Sequence, residues 1–354
     1  MAFNILAVLT LVSSAMAACP LSVAIVDAVD HTASITVTNT GSEAVTVFKG
    51  NTVLSDHDTQ DVFVAAADGT DLEFMGAIVN YKKTGLSADY FQTIAAGETV
   101  TTSVDVSQTY ALAGEDTVEI TAIQGFKFST GTTAPNTTNG LDSCEDVTSN
   151  TVTITPDQAK VAATGVSKRE LAPRSRIQKR TITYSGCTTA ETTSLKTSVS
   201  DAISMSSAAY TAAGNEADYY TTWFISDSYV DTVQEIYEDV TNVQTTAPTI
   251  SCTDTYGDCA DGSALLYTVP SKNVIVPCPD NGFWDFPEES ATCANDDYDM
   301  AGSILHEMTH LYGTSDWAYG PTAAKRLTAA KAADNADTYE MYAGSVRLGG
   351  CTTG

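Results

Sequence analysis

Histidine is scarce in this chain, with four in 354 residues: His31, His57, His306 and His310. Cations are scarce as well. There are 17 Lys and Arg against 44 Asp and Glu, a net charge of −27. A surface this short of positive charge cannot neutralise a phosphate backbone and is repelled by anionic membranes, so nucleic-acid binding and attachment to such membranes are excluded. No stretch supplies the roughly 20 consecutive apolar residues that cross a bilayer. There is no internal repeat and no long low-complexity tract.

The one N-terminal apolar run, Ile5 to Val12, is too short for a span and is followed by Ala15-Met16-Ala17. That small-x-small pattern predicts a signal peptide over residues 1–17, although its n-region lacks Lys and Arg. The expected destination is extracellular. A second boundary is basic. Six of the 17 cations fall between Lys168 and Arg180, in a stretch with Pro173 and no periodic apolar face. Residues 167–180 therefore read as an exposed linker. It ends in the dibasic pair Lys179-Arg180, the kind cut by kexin-like processing proteases. The expected division is a propeptide over 18–180 and a mature chain over 181–354. The mature part keeps six bases against 24 acids, a net charge of −18, and is expected to be a monomer that attracts basic polypeptides.

Eight cysteines, an even number, suit an oxidising compartment. The cut leaves Cys19 and Cys144 in the first part, where a disulfide between them is expected. Six remain in the second, and six cysteines allow 15 pairings.

Residues 20–155 alternate Val and Thr in short runs, 34–38, 45–48, 100–104 and 117–121, separated by Gly, Asn and Asp. These predict an all-β, Ig-like sandwich of about seven strands. The sequon Asn136-Thr137-Thr138 sits in a polar loop. The second part is expected to be mainly α with a small β-hairpin or sheet around 264–269. Its helices are expected over 191–213, 218–224, 229–243, 321–333 and 336–346.

Two of the four histidines sit in His306-Glu307-Met308-Thr309-His310, an H-E-x-x-H string. Apolar residues at Met300, Ile304, Leu305, Met308 and Leu311 predict a helix, capped by Asp296, Asp297 or Asp299 and ended by Gly313. Positions i and i+4 share a helix face, so both imidazoles can grip one Zn²⁺, with Glu307 beside them as general base for the attacking water. A catalytic zinc takes three protein ligands. With no third histidine in the mature part and the cysteines committed to disulfides, the third ligand must be a carboxylate. After the motif these are Asp316, Asp334, Asp337 and Glu340. Asp316 is nearest, in Gly313-Thr314-Ser315-Asp316-Trp317-Ala318-Tyr319-Gly320, and Tyr319 can stabilise an oxyanion.

H-E-x-x-H followed by G-T-x-D-x-x-Y-G resembles the deuterolysins, the neutral protease II type of aspzincins, and the resemblance covers Thr181 to the C-terminus and extends to the pro-segment. The resemblance implies a secreted zinc endopeptidase with a zincin-like fold. It implies zinc on His306, His310 and Asp316, Glu307 as base and Tyr319 assisting. It also implies disulfides Cys187–Cys252, Cys259–Cys278 and Cys293–Cys351. The segment Asp334 to Tyr339 resembles a family segment too, and makes Asp337 a rival ligand ranked below Asp316. Competing expectations are a peptidyl-Lys metalloendopeptidase with an acidic pocket, and a non-catalytic secreted zinc-binding antigen or adhesin.

Overall fold

The computed structural model describes residues 19–164, 166, 181–215, 219–243, 247–290 and 299–350. The expected signal peptide, the linker with Lys179-Arg180, the alternative caps Asp296 and Asp297, and the pair Cys293–Cys351 lie outside the described residues.

The N-terminal region is built from β1 (Leu21–Val29), β2 (Thr32–Asn39), β3 (Val45–Phe48), β4 (Phe63–Ala66), β5 (Ile78–Tyr81), β6 (Phe91–Ile94), β7 (Thr99–Asp105), β8 (Val118–Thr121), β9 (Ile123–Thr130), β10 (Asp142–Thr148) and β11 (Val152–Ile154), followed by helix α1 (Gln158–Thr164). In β2 the residues Ala33, Ile35 and Val37 are buried while their neighbours are part-exposed. This period of two turns one face of the strand to a core. The strands form sheets ordered β1-β2-β7, β10-β9-β3-β6 and β11-β8-β4. Their buried faces meet over Ile35, Val37, Val47, Ile94, Ile120 and Phe126. A disulfide joins Cys19 to Cys144. The four runs read from the sequence are β2, β3, β7 and β8. The described region holds eleven strands where about seven were expected. The extra ones are mostly three or four residues long, too short to show a period.

The C-terminal region runs β12 (Thr183–Ser185), α2 (Thr189–Gly214), α3 (Tyr220–Phe224), α4 (Val230–Asn242), β13 (Thr249–Ser251), β14 (Ala264–Val269), β15 (Val274–Pro277), α5 (Met300–His310), α6 (Pro321–Ala324), α7 (Ala329–Ala332) and α8 (Ala336–Leu348). Helix α2 starts on a capping box. Thr188 Oγ1 accepts from the Glu191 amide, and the Glu191 carboxylate accepts from the Thr188 amide. Helix α5 is buried at every residue, which places it at the centre of the helical layer. Around it Trp223, Phe224, Tyr237, Tyr339 and Tyr342 form an aromatic core. Two of their polar ends are satisfied: Tyr237 Oη donates to the Tyr339 carbonyl at 2.8 Å and Trp223 Nε1 to Ser345 Oγ at 2.8 Å. Disulfides Cys187–Cys252 and Cys259–Cys278 are present.

One expectation is borne out in its second form and one needs correction. The small hairpin or sheet is a sheet, five-stranded and ordered β12-β13-β15-β14-β5. Its β12, β13 and β15 are parallel neighbours, and only β14 pairs antiparallel with β15. The helix expected over 321–333 is two single turns. Thr328 interrupts it by capping α7, its hydroxyl accepting from the Lys331 amide, and the residue at such a cap has extended backbone angles that no helix interior can hold.

The fifth strand of that sheet belongs to the other region. β5 lies antiparallel on β14, with Ile78 opposite Thr268, Val79 opposite Tyr267 and Asn80 opposite Leu266.

Candidate active site

Asp299 caps helix α5, its Oδ1 accepting from the Gly302 amide at 2.6 Å. Arg347 from α8 holds the other oxygen at 2.6 Å. Two turns later His306 and His310 share a face, their rings 4.9 Å apart. The helix then stops, and Gly313, at φ 106°, turns the chain through the left-handed region that favours glycine. The returning loop brings Asp316 under both imidazoles. Its Oδ1 lies 3.3 Å from His306 Nε2 and its Oδ2 3.4 Å from His310 Nε2.

The loop is held there by the N-terminus of α8. The Ser315 amide donates to the Asp334 carbonyl, and Asn335 Oδ1 accepts from the amides of Trp317 and Ala318 at 2.8 and 2.9 Å. Asp337 Oδ2 accepts from the Gly320 amide at 2.7 Å. The other oxygen of Asp337 lies 3.9 Å from His306 Nδ1, and Glu340 Oε2 lies 3.5 Å from the same nitrogen. Asp337 and Glu340 thus stand behind His306, on the side away from His310 and Asp316. His310 is oriented through its Nδ1, which donates to the Thr314 carbonyl at 2.9 Å. A carbonyl can only accept, so this bond fixes the tautomer with a lone pair on Nε2.

Glu307 is fully buried. Thr268 of β14 donates its hydroxyl to Glu307 Oε2 at 2.6 Å, which leaves Oε1 without a partner. Burial raises the Glu307 pKa, against the pull of His306 and His310. Burial also pushes Asp316 up, but the His310 and His306 charges outweigh it and hold this carboxyl well below the usual carboxylate range. Two carboxylates nine residues apart are driven in opposite directions, one toward proton exchange and one toward permanent charge. Glu340 is pushed up to about 7 by burial. Tyr319 stacks on His306 with ring centroids 5.9 Å apart. Its Oη donates to Asp316 Oδ2 and, at 3.0 Å, to the Val79 carbonyl of β5. Burial and then the Asp316 charge raise its pKa, so the phenol stays a donor.

His306 Nε2, His310 Nε2, Asp316 Oδ1 and Glu307 Oε1 are all buried without a hydrogen bond. A buried polar atom without a hydrogen bond costs about 1–3 kcal/mol; three of these face one another only as ion-pair partners, and a cation between them would satisfy those three. The donor set, two imidazoles and a carboxylate, suits zinc. Tetrahedral bonds of about 2.0–2.1 Å separate ligand atoms by roughly 3.3–3.4 Å, and the Asp316 carboxylate stands at that range from both imidazoles, through Oδ1 to His306 and through Oδ2 to His310. The residues fit the ion. Ligand atoms within 4.8 Å of one another are offered by His306, Glu307 and His310 and, separately, by His306, Asp337 and Glu340. In the second set Asp337 Oδ2 is bound to Gly320, while His306 Nδ1, Asp337 Oδ1 and Glu340 Oε2 have no hydrogen bond; that set uses the nitrogen of His306 turned away from Glu307.

All five residues expected from the sequence, His306, Glu307, His310, Asp316 and Tyr319, are gathered here. Thr268, Thr314 and Asn335 were not anticipated. Asn335 lies in the segment singled out by its resemblance, but nothing marked it as the loop's anchor.

A family profile described as lysine-specific metallo-endopeptidase, of the aspzincin type, matches residues 209–344. The chain is 30% identical over 331 residues to a Trichophyton rubrum protein named probable neutral protease 2 homolog B, covering 89% of this chain and 87% of that one. It is 32% identical over 329 residues to a neutral protease 2 homolog of Sclerotinia sclerotiorum, covering 89% and 86%. It is 32% identical over 339 residues to one of Phaeosphaeria nodorum, covering 93% and 91%. With these likenesses running over both regions, the chain belongs to the deuterolysin, or neutral protease 2, family of aspzincin zinc metalloendopeptidases.

Proposed function

We propose that this chain is the precursor of a secreted endopeptidase that holds one catalytic zinc on His306, His310 and Asp316. The observation that carries the reading is the set of buried atoms without a hydrogen bond on these residues, with Asp316 Oδ1 3.3 Å from His306 Nε2 and Oδ2 3.4 Å from His310 Nε2, beside the unpartnered Oε1 of Glu307. Zinc supplies Lewis acidity toward the scissile carbonyl and toward water. Glu307 Oε1 takes the proton of the attacking water and later delivers it to the leaving amine, a role suited to its raised pKa. Thr268 keeps the carboxylate aimed. Tyr319 Oη donates to the oxygen that becomes negative as the tetrahedral centre forms.

Residues 1–17 serve as signal peptide, and 18–180 as a propeptide released by a kexin-like cut after Arg180. The N-terminal region is an Ig-like sandwich, and 181–354 is a zincin-like domain, monomeric when mature. Asn136 is exposed and is offered as a glycosylation site. A preference for basic proteins draws support from the mature charge of −18 and from the seat of His57. That ring lies between Asp258, 3.3 Å from Nδ1, and Asp261, 3.1 Å from Nε2. Burial works against its charge, but the two aspartates prevail and raise its pKa. A cationic side chain is therefore already welcome beside β14. Lysine-only specificity draws less support: Asp316, Asp337 and Glu340 all lie against the imidazoles, with Asp337 Oδ1 and Glu340 Oε2 at 3.9 and 3.5 Å from His306 Nδ1.

Glu307→Gln in the mature chain should abolish casein hydrolysis and keep zinc, whereas a chelator should remove both from the parent. Zinc lost from the Gln variant would show Glu307 to be a ligand and end this assignment.

A further inference from the structure

β14 is an edge strand of the C-terminal region's own sheet. Among the described residues its outer side is covered by four residues from the other region, Ile78-Val79-Asn80-Tyr81. Those residues are extended and paired backbone to backbone, as an added peptide strand pairs with a sheet edge. The register brings them to the chemistry. Ile78 stands opposite Thr268, the residue that holds Glu307. The Val79 carbonyl accepts from Tyr319 Oη at 3.0 Å. Cross-strand partners share a face, so Ile78 and Asn80 lie on the Thr268 and Leu266 side of the sheet, the side of the metal helix. Asn80 is 1% exposed, and neither atom of its amide has a hydrogen bond.

Further contacts hold the strand in place. Phe63 stacks on Trp317 with centroids 4.7 Å apart and planes 2° from parallel. Lys127 Nζ donates to the Tyr319 carbonyl at 3.1 Å, and Asp146 pairs with Lys331. The N-terminal region thereby grips the loop that carries Asp316 and Tyr319 from two sides.

We propose that Ile78–Tyr81 is the latency element of the precursor, a substrate-like strand seated on the edge of β14 that takes the backbone of an extended peptide substrate once residues up to Arg180 are gone. The Val79 carbonyl occupies the place of a substrate carbonyl at Tyr319. The phenol has one proton and two acceptors here, Val79 and Asp316, so a bound carbonyl draws it from the carboxylate. The inference rests on the catalytic reading above and adds where the substrate's main chain lies.

Two measurements test it. In the first, a labelled peptide of residues 76–83 is titrated into the mature Glu307→Gln chain. It should bind saturably and be displaced by peptides that the parent enzyme cuts. In an antiparallel pair, alternate residues face the partner strand's hydrogen-bonding groups. N-methylation of one alternate set, either Ile78 and Asn80 or Val79 and Tyr81, should weaken binding by about tenfold or more, and the other set should be tolerated. In the second, the full chain carrying Lys179→Ala and Arg180→Ala should be latent toward a short peptide substrate, and adding Val79→Pro should release activity by about tenfold, since proline breaks the pairing. If that variant fails to fold, the peptide titration decides. A mature enzyme that hydrolyses substrate but does not bind the peptide, or that binds both methylated sets equally well, overturns the inference and leaves the catalytic reading intact. A mature chain that hydrolyses nothing overturns the catalytic reading and the latency role with it.

Discussion

Thr268 of β14 donates its hydroxyl to Glu307 Oε2 at 2.6 Å, across 39 residues of sequence. The bond leaves Oε1 as the carboxylate oxygen without a partner. It also couples the strand's position to Glu307.

Thr268→Val keeps the side chain's shape and removes the donor. A hydrogen bond to a charged group contributes about 1.5–3 kcal/mol, so kcat should fall about 10–100-fold. Zinc content should stay unchanged, because Thr268 touches no proposed ligand. Parallel measurement of kcat and bound zinc checks this, and unchanged kcat would remove Thr268 from the machinery.

Asp316→Asn should lose zinc far more readily than Asp337→Asn. Asp316 faces both Nε2 atoms, and an amide there loses the anionic donor. Asp337 acts through His306 Nδ1 and the Gly320 amide, a position whose loss costs about 10–100-fold in affinity or activity. Zinc retained after dialysis against a mild chelator decides it. The reverse order would exchange the two roles.

Asp61 gives the N-terminal region a pH-dependent stability. Burial pushes its carboxyl up to about 8, although Thr59 Oγ1 donates to it at 2.7 Å. The folded pKa lies above the unfolded value near 3.8, so the folded state binds more protons between them. The contribution is fully present below about pH 4 and is lost as pH rises through about 8. Asp61→Asn should therefore flatten the decline in the urea midpoint of the uncleaved precursor over that window. Identical slopes for parent and variant would refute it.

Basic peptides should be cut faster than matched acidic ones, and the advantage should shrink with salt as the Debye length falls from about 30 Å at 0.01 M to about 10 Å at 0.1 M. Replacing both Asp258 and Asp261 by Asn in the mature chain should remove part of the advantage even at high salt, because that part is a local contact. Equal rates on both substrate classes at low ionic strength would count against the basic preference.

The catalytic string was legible because H-E-x-x-H and the loop after it are local. Helix period, a capping aspartate and a glycine turn bring His306, His310 and Asp316 together within eleven consecutive residues. Thr268 was illegible for the opposite reason. It acts across a strand-to-helix contact, and one threonine in a buried strand carries no mark of its target. The same holds for Asn335, whose side chain stands in for a backbone partner of the loop. β12, β13 and β15 have three or four residues each, too few to show periodicity, so the sheet was underestimated. β5 was missed because Ile78-Val79-Asn80-Tyr81 reads as four residues without alternation. It is buried on both faces, and its partner lies in a different part of the chain.

The edge strand has a colloidal consequence. While β5 covers β14, the sheet shows no naked row of amides and carbonyls on that side. If a cut after Arg180 released it, as proposed, each copy of residues 181–354 would carry a template onto which another copy's edge can pair. The excess of 18 negative charges over 174 residues keeps such edges apart at neutral pH. As the medium acidifies toward the carboxylate pKa values that repulsion fades, and edge-to-edge pairing of the released domain would become a route out of solution.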